Sequence, residues 1–481
     1  MRRNENGFLN HLFKIGIGTV ITVLIGLLTT PIITRIIEPS SYGQLSIFQM
    51  YTNISVMVLC LGLDQAFVRF FYDHDDIGYK RELFRFCFLT SLSVTIFFCG
   101  IFVICNWFFK LKFEFDFFIT ILLAINIIGS LLNNFALLVL RVTYQSSTYS
   151  VCNILYKLSN VLTVIILVKF ILKNDTYSLC IGVTTGFIIS TFYAIAKSRQ
   201  YWKFGTTEKK INKISIIKYG LPFIFSMGIT QLFEALDKIS LNYYCAYSDV
   251  GIYASAMSIV NIFTIIQTAF NAVWGPRQVE EYVNSPEDTT FIQTGNQIIT
   301  AAMFFGGLSL IFAKDFFALL LGPKFREAAP ILPFLVFNPI MYTISETTCS
   351  GIGISKKSYL NIMVGLGACI VNFLGNMILV PVIGTKGAAI STGISYFVFW
   401  ALRTFFSNKY YYIEYKIYKF IVITFITMAY AGYNTFFDNF LISFLGYLGA
   451  ISLLFFLYKD TILISIKLTK SFIMKGSHKL G

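Results

Sequence analysis

The chain has 481 residues, of which 56% are hydrophobic and 13% are charged, and its mean hydropathy is +0.70. Soluble domains carry about a quarter charged residues and lack repeated apolar runs of about 20 residues, so these values exclude the soluble classes. The net charge of +14 does not indicate nucleic-acid binding, because the Lys and Arg residues lie at the ends of apolar segments and form no basic stripe. We therefore expect an all-α integral membrane protein with no nucleic-acid partner.

The apolar runs predict about fourteen transmembrane helices. They lie at residues 9–34, 44–68, 84–109, 117–140, 151–171, 177–197, 214–243, 250–274, 291–313, 329–350, 358–380, 387–406, 418–436 and 441–458. This assignment places 27 Lys and Arg residues at the inner ends and nine at the outer ends. Such a bias orients a membrane protein, so both termini are predicted to be cytoplasmic.

The cysteines and histidines form no pattern that would indicate a metal site or a disulfide framework. The nine cysteines are scattered, mostly in apolar runs, and His11, His74 and His478 lie far apart. The first apolar run is too long for a signal peptide and has no small-residue cleavage site. We expect no metal and no cofactor.

The stretch from Lys218 to Ala256 is predicted to organise the chain. It contains Gly-Leu-Pro early and three charges, Glu234, Asp237 and Lys238, in its second half. Charges in a membrane helix are costly against lipid and usually face a bundle interior or a wet cavity. Because a proline also allows a bend, we expect a bent, cavity-lining helix, followed by a turn at residues 251–253.

A weak internal repeat relates the two halves of the chain. An offset of 208 residues aligns Gly43 with Gly251 and Arg69 with Arg277. Six helices per repeat predict two lobes related by an axis along the membrane normal. The predicted division is an N-terminal lobe (1–200), a basic cytoplasmic linker (201–213), a C-terminal lobe (214–407), two further helices (418–458) and a basic cytoplasmic tail (459–481).

Several motifs carry a family resemblance. The sequence TRIIEPSSYG at 34–43 resembles the first outer loop of the polysaccharide (O-antigen type) repeat-unit flippases of the multidrug/oligosaccharidyl-lipid/polysaccharide exporter superfamily. YGLPFIF at 219–225, LDKISL at 236–241 and VGIYASA at 250–256 are similar to that family's seventh and eighth helices. The later runs at 320–335, 351–358 and 372–392 are similar to its tenth to twelfth helices.

The resemblance implies a flippase for undecaprenyl-pyrophosphate-linked oligosaccharide repeat units. Such proteins act by alternating access in the bacterial plasma (inner) membrane, for O-antigen, lipopolysaccharide or capsule biosynthesis, and are not enzymes. The implied partners are the lipid-linked oligosaccharide, membrane lipids, and the polysaccharide polymerase and other assembly proteins. The open alternatives are a cation-coupled multidrug antiporter, and a flippase for lipid-linked peptidoglycan or teichoic acid precursors. A membrane glycosyltransferase or polymerase is disfavoured, because no large soluble loop or carboxylate cluster is present.

Ionisable residues within or near the membrane segments are the candidates for the cavity or its gates. Each also has a structural explanation: Lys157 could reach the surface, the arginines could anchor at the interface, and Asp64 could pair with Arg69. Glu346 is the least informative charge, and the asparagines 133, 134, 153, 160, 372 and 376 could bind sugars but more often join helices. The eight candidates are Arg35, Asp64, Arg69, Lys157, Glu234, Asp237, Lys238 and Arg277.

Overall fold

The computed structural model describes residues 2–109, 115–172, 174–203, 211–355, 357 and 359–461, and these residues form an all-helical structure. Its helices are α1 (Arg2–Ile36), α2 (Pro39–Leu59), α3 (Leu63–Phe70), α4 (Ile77–Phe109), α5 (Phe117–Val142), α6 (Ser146–Ile166), α7 (Asp175–Lys197), α8 (Lys213–Tyr244), α9 (Tyr247–Val260), α10 (Phe263–Asn284), α11 (Thr290–Phe312), α12 (Lys314–Leu320), α13 (Leu332–Leu335), α14 (Phe337–Thr348), α15 (Ser350–Ile354), α16 (Tyr359–Asn408), α17 (Ile417–Phe436) and α18 (Phe440–Leu457). Most of the predicted linker (204–210) and tail (462–481) lies outside the described residues.

The predicted fold class is confirmed. Each of the fourteen predicted segments coincides with one or more of these helices, and α16 contains two of them. Eight helices of the described chain are long and apolar enough to cross a membrane, or up to ten if each bent pair is one span. The shorter pieces, such as α13 to α15, show that several of the predicted spans are interrupted.

Breaks in the helices occur where the hydropathy pattern is continuous. Helices α2 and α3 meet at an angle of 53°, and α9 and α10 at 47°. At the first break Leu61 and Gly62 both have positive φ angles of 56° and 64°, so the backbone leaves the helix without a proline. Within α16, Ile383 and Gly384 have non-helical backbone angles and separate its two arms. Pro222, in contrast, lies inside the continuous helix α8.

The chain forms two compact units, and each is described by itself. Unit 1 comprises residues 1–242 and 246–254, and unit 2 comprises residues 243–245 and 255–481. In unit 1, Asn126 links three helices, because its amide accepts a hydrogen bond from Thr52 at 3.0 Å and donates one to Thr184 at 2.9 Å. Such polar contacts join membrane helices, where the hydrophobic effect contributes little to association. The predicted lobe boundaries remain a prediction.

Candidate functional site

A cavity of about 670 Å³ lies within unit 1. Helices α2, α3, α5, α7 and α8 supply its walls, and the break between α2 and α3 lies at its edge, with Gly62 in the lining. Binding sites in membrane proteins are often placed where helices are interrupted, because the freed backbone groups can face a polar space. The volume lies in the range of about 300–1,000 Å³ that is typical of small-molecule sites.

Half of the side chains that border this cavity are polar, and they are mostly amides and hydroxyls. Asn53, Asn134 and Gln231 face it and make no side-chain hydrogen bond to another part of the described chain. Each amide offers both donors and an acceptor, so together they can bind a ligand rich in hydroxyl groups. The polar lining consists of Asn53, Asp64, Ser130, Asn133, Asn134, Ser226, Thr230 and Gln231.

Asp64 is the one charged residue at this cavity among the described residues, and no Lys or Arg of the described chain borders it. It lies in the first turn of α3, directly after the break, where the helix dipole stabilises a negative charge. Its carboxylate accepts a hydrogen bond from Gln65 at 2.9 Å. The alternative that Asp64 pairs with Arg69 is wrong, because Arg69 forms its ion pair with Asp73 at 2.7 Å.

The predicted charge cluster lies on the same helix as the cavity wall. Gln231, Glu234 and Lys238 share one face of α8 at helical spacing, and Lys238 interacts electrostatically with Glu234 and Asp237. Asp237 itself is 6% exposed and accepts a hydrogen bond from Tyr253 on α9 at 2.6 Å. The cluster therefore extends the polar face of α8 beyond the cavity, and Asp237 joins α8 to α9.

Two glycines bring α2 and α9 into backbone contact. A Cβ atom built on Gly43 would lie 1.8 Å from the carbonyl oxygen of Tyr247, and one on Gly251 would lie 1.9 Å from that of Pro39. Both contacts follow the predicted repeat, since each glycine is the fifth residue of its helix and the offset of 208 also relates Pro39 to Tyr247. The predicted turn at 251–253 is wrong: Gly251 lies inside α9, because the chain turns earlier, at residues 245–246.

A second glycine contact closes α2 against α8. A Cβ atom on Gly62 would lie 2.1 Å from the carbonyl oxygen of Gly220, and one on Gly220 would lie 2.9 Å from that of Gly62. Side chains at either position would force the two backbones apart. Within unit 1, α2 is thus held at both of its ends by glycine contacts, with the cavity between them.

Arg69 lies in the last turn of α3 and Arg277 lies within α10, and both side chains are exposed. Arg69 pairs with Asp73, and Arg277 pairs with Glu281 at 2.7 Å and with Glu280 at 2.8 Å. Arg69–Asp73 and Arg277–Glu281 are related by the same offset of 208, which adds a second element to the repeat. Exposed pairs of this kind contribute little stability.

Two further candidates also lie away from the cavity. Arg35 is exposed in the last turn of α1, and Lys157 is half-buried on α6. Neither is among the described residues that border the cavity. The roles of Arg35, Arg69, Lys157 and Arg277 in transport remain predictions.

Sequence reasoning missed a half-buried ion pair in unit 2. Arg403 donates hydrogen bonds to Glu346 at 2.7 Å and to Ser345 at 2.9 Å, and its guanidinium lies 5.6 Å from the ring centroid of Phe399. The two charged residues are 57 positions apart, and each looks like an ordinary helix-end charge in the sequence. A half-buried pair of this kind favours one arrangement of α14 against α16.

The asparagines divide between the two expected roles. Asn372 and Asn376 are fully buried in unit 2 and hydrogen-bond to each other at 3.1 Å. They therefore have a structural role and do not line the cavity of unit 1. Asn134 faces that cavity, and Asn133 borders it while accepting a hydrogen bond from Thr191. The other cavity amides, Asn53 and Gln231, were missed. For Gln231 a signal existed, because it precedes Glu234 by one helical turn.

The fold is similar to those of solved multi-pass membrane transporters. The chain aligns with the lipid II flippase MurJ in an inward closed conformation with a TM-score of 0.70 and 15% sequence identity, covering 93% of this chain and 99% of MurJ. An inward-facing multidrug resistance MATE family transporter of the MOP superfamily aligns with a TM-score of 0.54 and 14% identity, covering 83% of this chain and 97% of the transporter. At these identities the likeness shows the fold.

The family follows from the sequence. The family described as "Polysaccharide biosynthesis protein" matches residues 8–280, more than half of the chain, and the chain belongs to this family. Uncharacterized membrane proteins of Methanocaldococcus jannaschii and Haemophilus influenzae are 24% and 22% identical to it, over 40% and 55% of this chain. These matches span 39% and 63% of the two relatives. The chain is therefore a multi-pass membrane protein that belongs to the family described as "Polysaccharide biosynthesis protein".

Proposed function

We propose that the protein is a flippase that moves undecaprenyl-pyrophosphate-linked oligosaccharide repeat units from the inner to the outer leaflet of the bacterial plasma membrane. The observation that carries this proposal is the cavity of unit 1, whose amides and hydroxyls lie among membrane helices in a chain of the polysaccharide biosynthesis family. The lipid II flippase MurJ, with which the chain shares its fold, supports the lipid-linked substrate class.

The physical problem of the reaction is the transfer of a polar headgroup through hydrocarbon. Each hydroxyl that loses water without gaining a partner costs about 2–7 kcal/mol, and an isolated charge costs far more. Asn53, Asn134 and Gln231 replace the lost water contacts, because their amides have no hydrogen-bond partner within the described chain. The polyprenyl tail stays in lipid throughout, so the protein has no covalent step to catalyse.

Alternating access would use the two glycine contacts. In this proposal the contact between α2 and α9 closes the outer side of the cavity, and the contact between α2 and α8 closes its inner side. Backbone contacts at glycines open and close without rearranging side chains, which suits a gate. The predicted topology, with both termini in the cytoplasm, determines which side is outer.

A cation-coupled multidrug antiporter is the second candidate. The observation that favours it is Asp64, a carboxylate at a membrane cavity that no described Lys or Arg borders and that could attract a cationic drug. Two observations count against this candidate. More amide side chains than charged side chains border the cavity, and the chain belongs to the family described as "Polysaccharide biosynthesis protein".

Loss of the cavity amides tests the proposal in cells that assemble the native glycan. Replacing both Asn53 and Gln231 by Leu keeps the approximate volume and removes the hydrogen bonds. We expect surface glycan to fall at least tenfold, with lipid-linked oligosaccharide accumulating on the inner leaflet. The matched control is Phe225→Leu, which changes an exposed side chain of α8 outside the cavity. Normal glycan and no accumulation in the double variant would contradict the flippase function.

A further inference from the structure

The charge of the unit 1 cavity restricts which sugars it can hold. We infer that this cavity takes the sugar headgroup, that it selects neutral or amino-bearing sugars over uronic acids, and that Asp64 sets this selectivity. The inference rests on the proposed function and specifies its substrate class.

The first step is the balance of charge. The described residues that border the cavity include one carboxylate and no Lys or Arg, so the cavity carries a net negative charge when Asp64 is ionised. A second carboxylate within about 5 Å of Asp64 would be repelled, and at an effective dielectric constant near 20 the repulsion weakens binding by about two orders of magnitude. An ammonium group at the same place would be attracted. Hydroxyls would accept or donate hydrogen bonds without either effect.

The second step concerns the position of Asp64. The break at residues 60–62 turns the first turn of α3 toward the space that Gly62 and Cys60 also border. The basic residue closest in sequence, Arg69, pairs with Asp73 at 2.7 Å and therefore does not neutralise Asp64. Gln65 contributes a hydrogen bond but no charge. The Cys60 thiol also hydrogen-bonds to Asp64 and carries no positive charge, so no described Lys or Arg neutralises the carboxylate.

The third step excludes the pyrophosphate from the same space. A pyrophosphate carries negative charges that Asp64 would repel, and no described basic side chain of this cavity compensates for them. The apolar wall, which includes Phe187 and Phe223, instead suits the C–H faces of sugar rings. The headgroup sugars would therefore enter the cavity, while the pyrophosphate stays outside it, on the side of the polyprenyl chain.

The test uses the full-length protein in detergent and three polyprenyl-pyrophosphate disaccharides that differ in the outer sugar. The outer sugar is an N-acetylhexosamine, a hexosamine with a free amine, or a hexuronic acid. For the wild type we expect the hexosamine to bind at least as tightly as the N-acetylhexosamine, and the hexuronic acid about 100-fold more weakly. Asp64→Asn should reduce the difference between the N-acetylhexosamine and the hexuronic acid to less than fivefold, whereas Asp64→Glu should keep it.

Asp75→Asn is the matched control, because it removes an exposed carboxylate of the same region that neither borders the cavity nor pairs with Arg69, and it should leave the selectivity unchanged. Binding of the hexuronic acid as tightly as of the neutral sugar by the wild type would overturn this inference and leave the flippase function standing. The same holds if Asp64→Asn keeps the full selectivity. Failure of the wild type to bind any of the three lipids would overturn both.

Discussion

An alanine at Gly43 should hold the α2–α9 contact open. Its Cβ would lie 1.8 Å from the Tyr247 carbonyl oxygen, so the two backbones must separate by about 1.6 Å to reach an ordinary contact of 3.4 Å. Neither atom belongs to a flexible side chain, and overpacking of this kind costs about 1–3 kcal/mol. If only the closed state pays this cost, the equilibrium shifts toward the open state by about 5- to 150-fold.

Thiol labelling measures the shift. Ser226→Cys places a thiol at the cavity, and four native cysteines are replaced by Ser: the partly exposed Cys105, Cys245 and Cys349, and Cys60, which also borders the cavity. A membrane-impermeant maleimide added outside the cells should then label the Gly43→Ala protein at least fivefold faster than its parent.

The control and the reciprocal variant make the result specific. Gly100→Ala is the matched control, because a Cβ at Gly100 meets no atom within 4 Å. Gly251→Ala should behave like Gly43→Ala, since its Cβ would lie 1.9 Å from the Pro39 carbonyl oxygen. Equal labelling rates in the Gly43 and Gly100 variants, at equal amounts in the membrane, would refute the role of this contact as an outer gate.

Three further predictions concern the charges and the topology. Asp237→Asn keeps the shape of the side chain but weakens the hydrogen bond from Tyr253, so glycan export should fall several-fold while the amount of protein in the membrane stays normal. Normal export would show that the charges of Glu234, Asp237 and Lys238 are tolerated and have no role in transport. Glu346→Gln should lower the free energy of unfolding of the purified protein by about 1–3 kcal/mol, because it leaves the half-buried Arg403 without its carboxylate, and joint replacement by Leu and Met should recover most of the loss. Reporter fusions after residue 205 and at residue 481 should both report a cytoplasmic location, and an external signal at either would contradict the orientation.

The sequence predicts the helices because membrane spans depend on hydropathy, which is a local property. It also relates Gly43 to Gly251 by the offset of 208, but it does not predict that these glycines bring α2 and α9 into backbone contact. The break at residues 60–62 escapes prediction, since its residues are apolar or Gly and no proline marks it. The cause is a pair of positive φ angles at Leu61 and Gly62.

The cavity was less predictable than the fold. Asp64 was a candidate because an ionisable residue in a membrane segment is costly and therefore informative. Asn53, Asn134 and Gln231 are neutral and carry no comparable energetic signal, because an amide can join helices or face a ligand, and only the three-dimensional arrangement decides. Arg403 was missed because its partner Glu346 is distant in sequence.

Transfer of a lipid-linked sugar by the purified protein tests the central claim most directly. The full-length protein is reconstituted into liposomes that contain a fluorescent polyprenyl-pyrophosphate disaccharide with an N-acetylhexosamine as its outer sugar, and an impermeant quencher reports the outer leaflet. We predict that the wild type accelerates transfer between the leaflets at least tenfold over protein-free liposomes, and that the Asn53→Leu and Gln231→Leu double variant loses most of this acceleration. Transfer at the protein-free rate by a folded wild-type protein would contradict the flippase function.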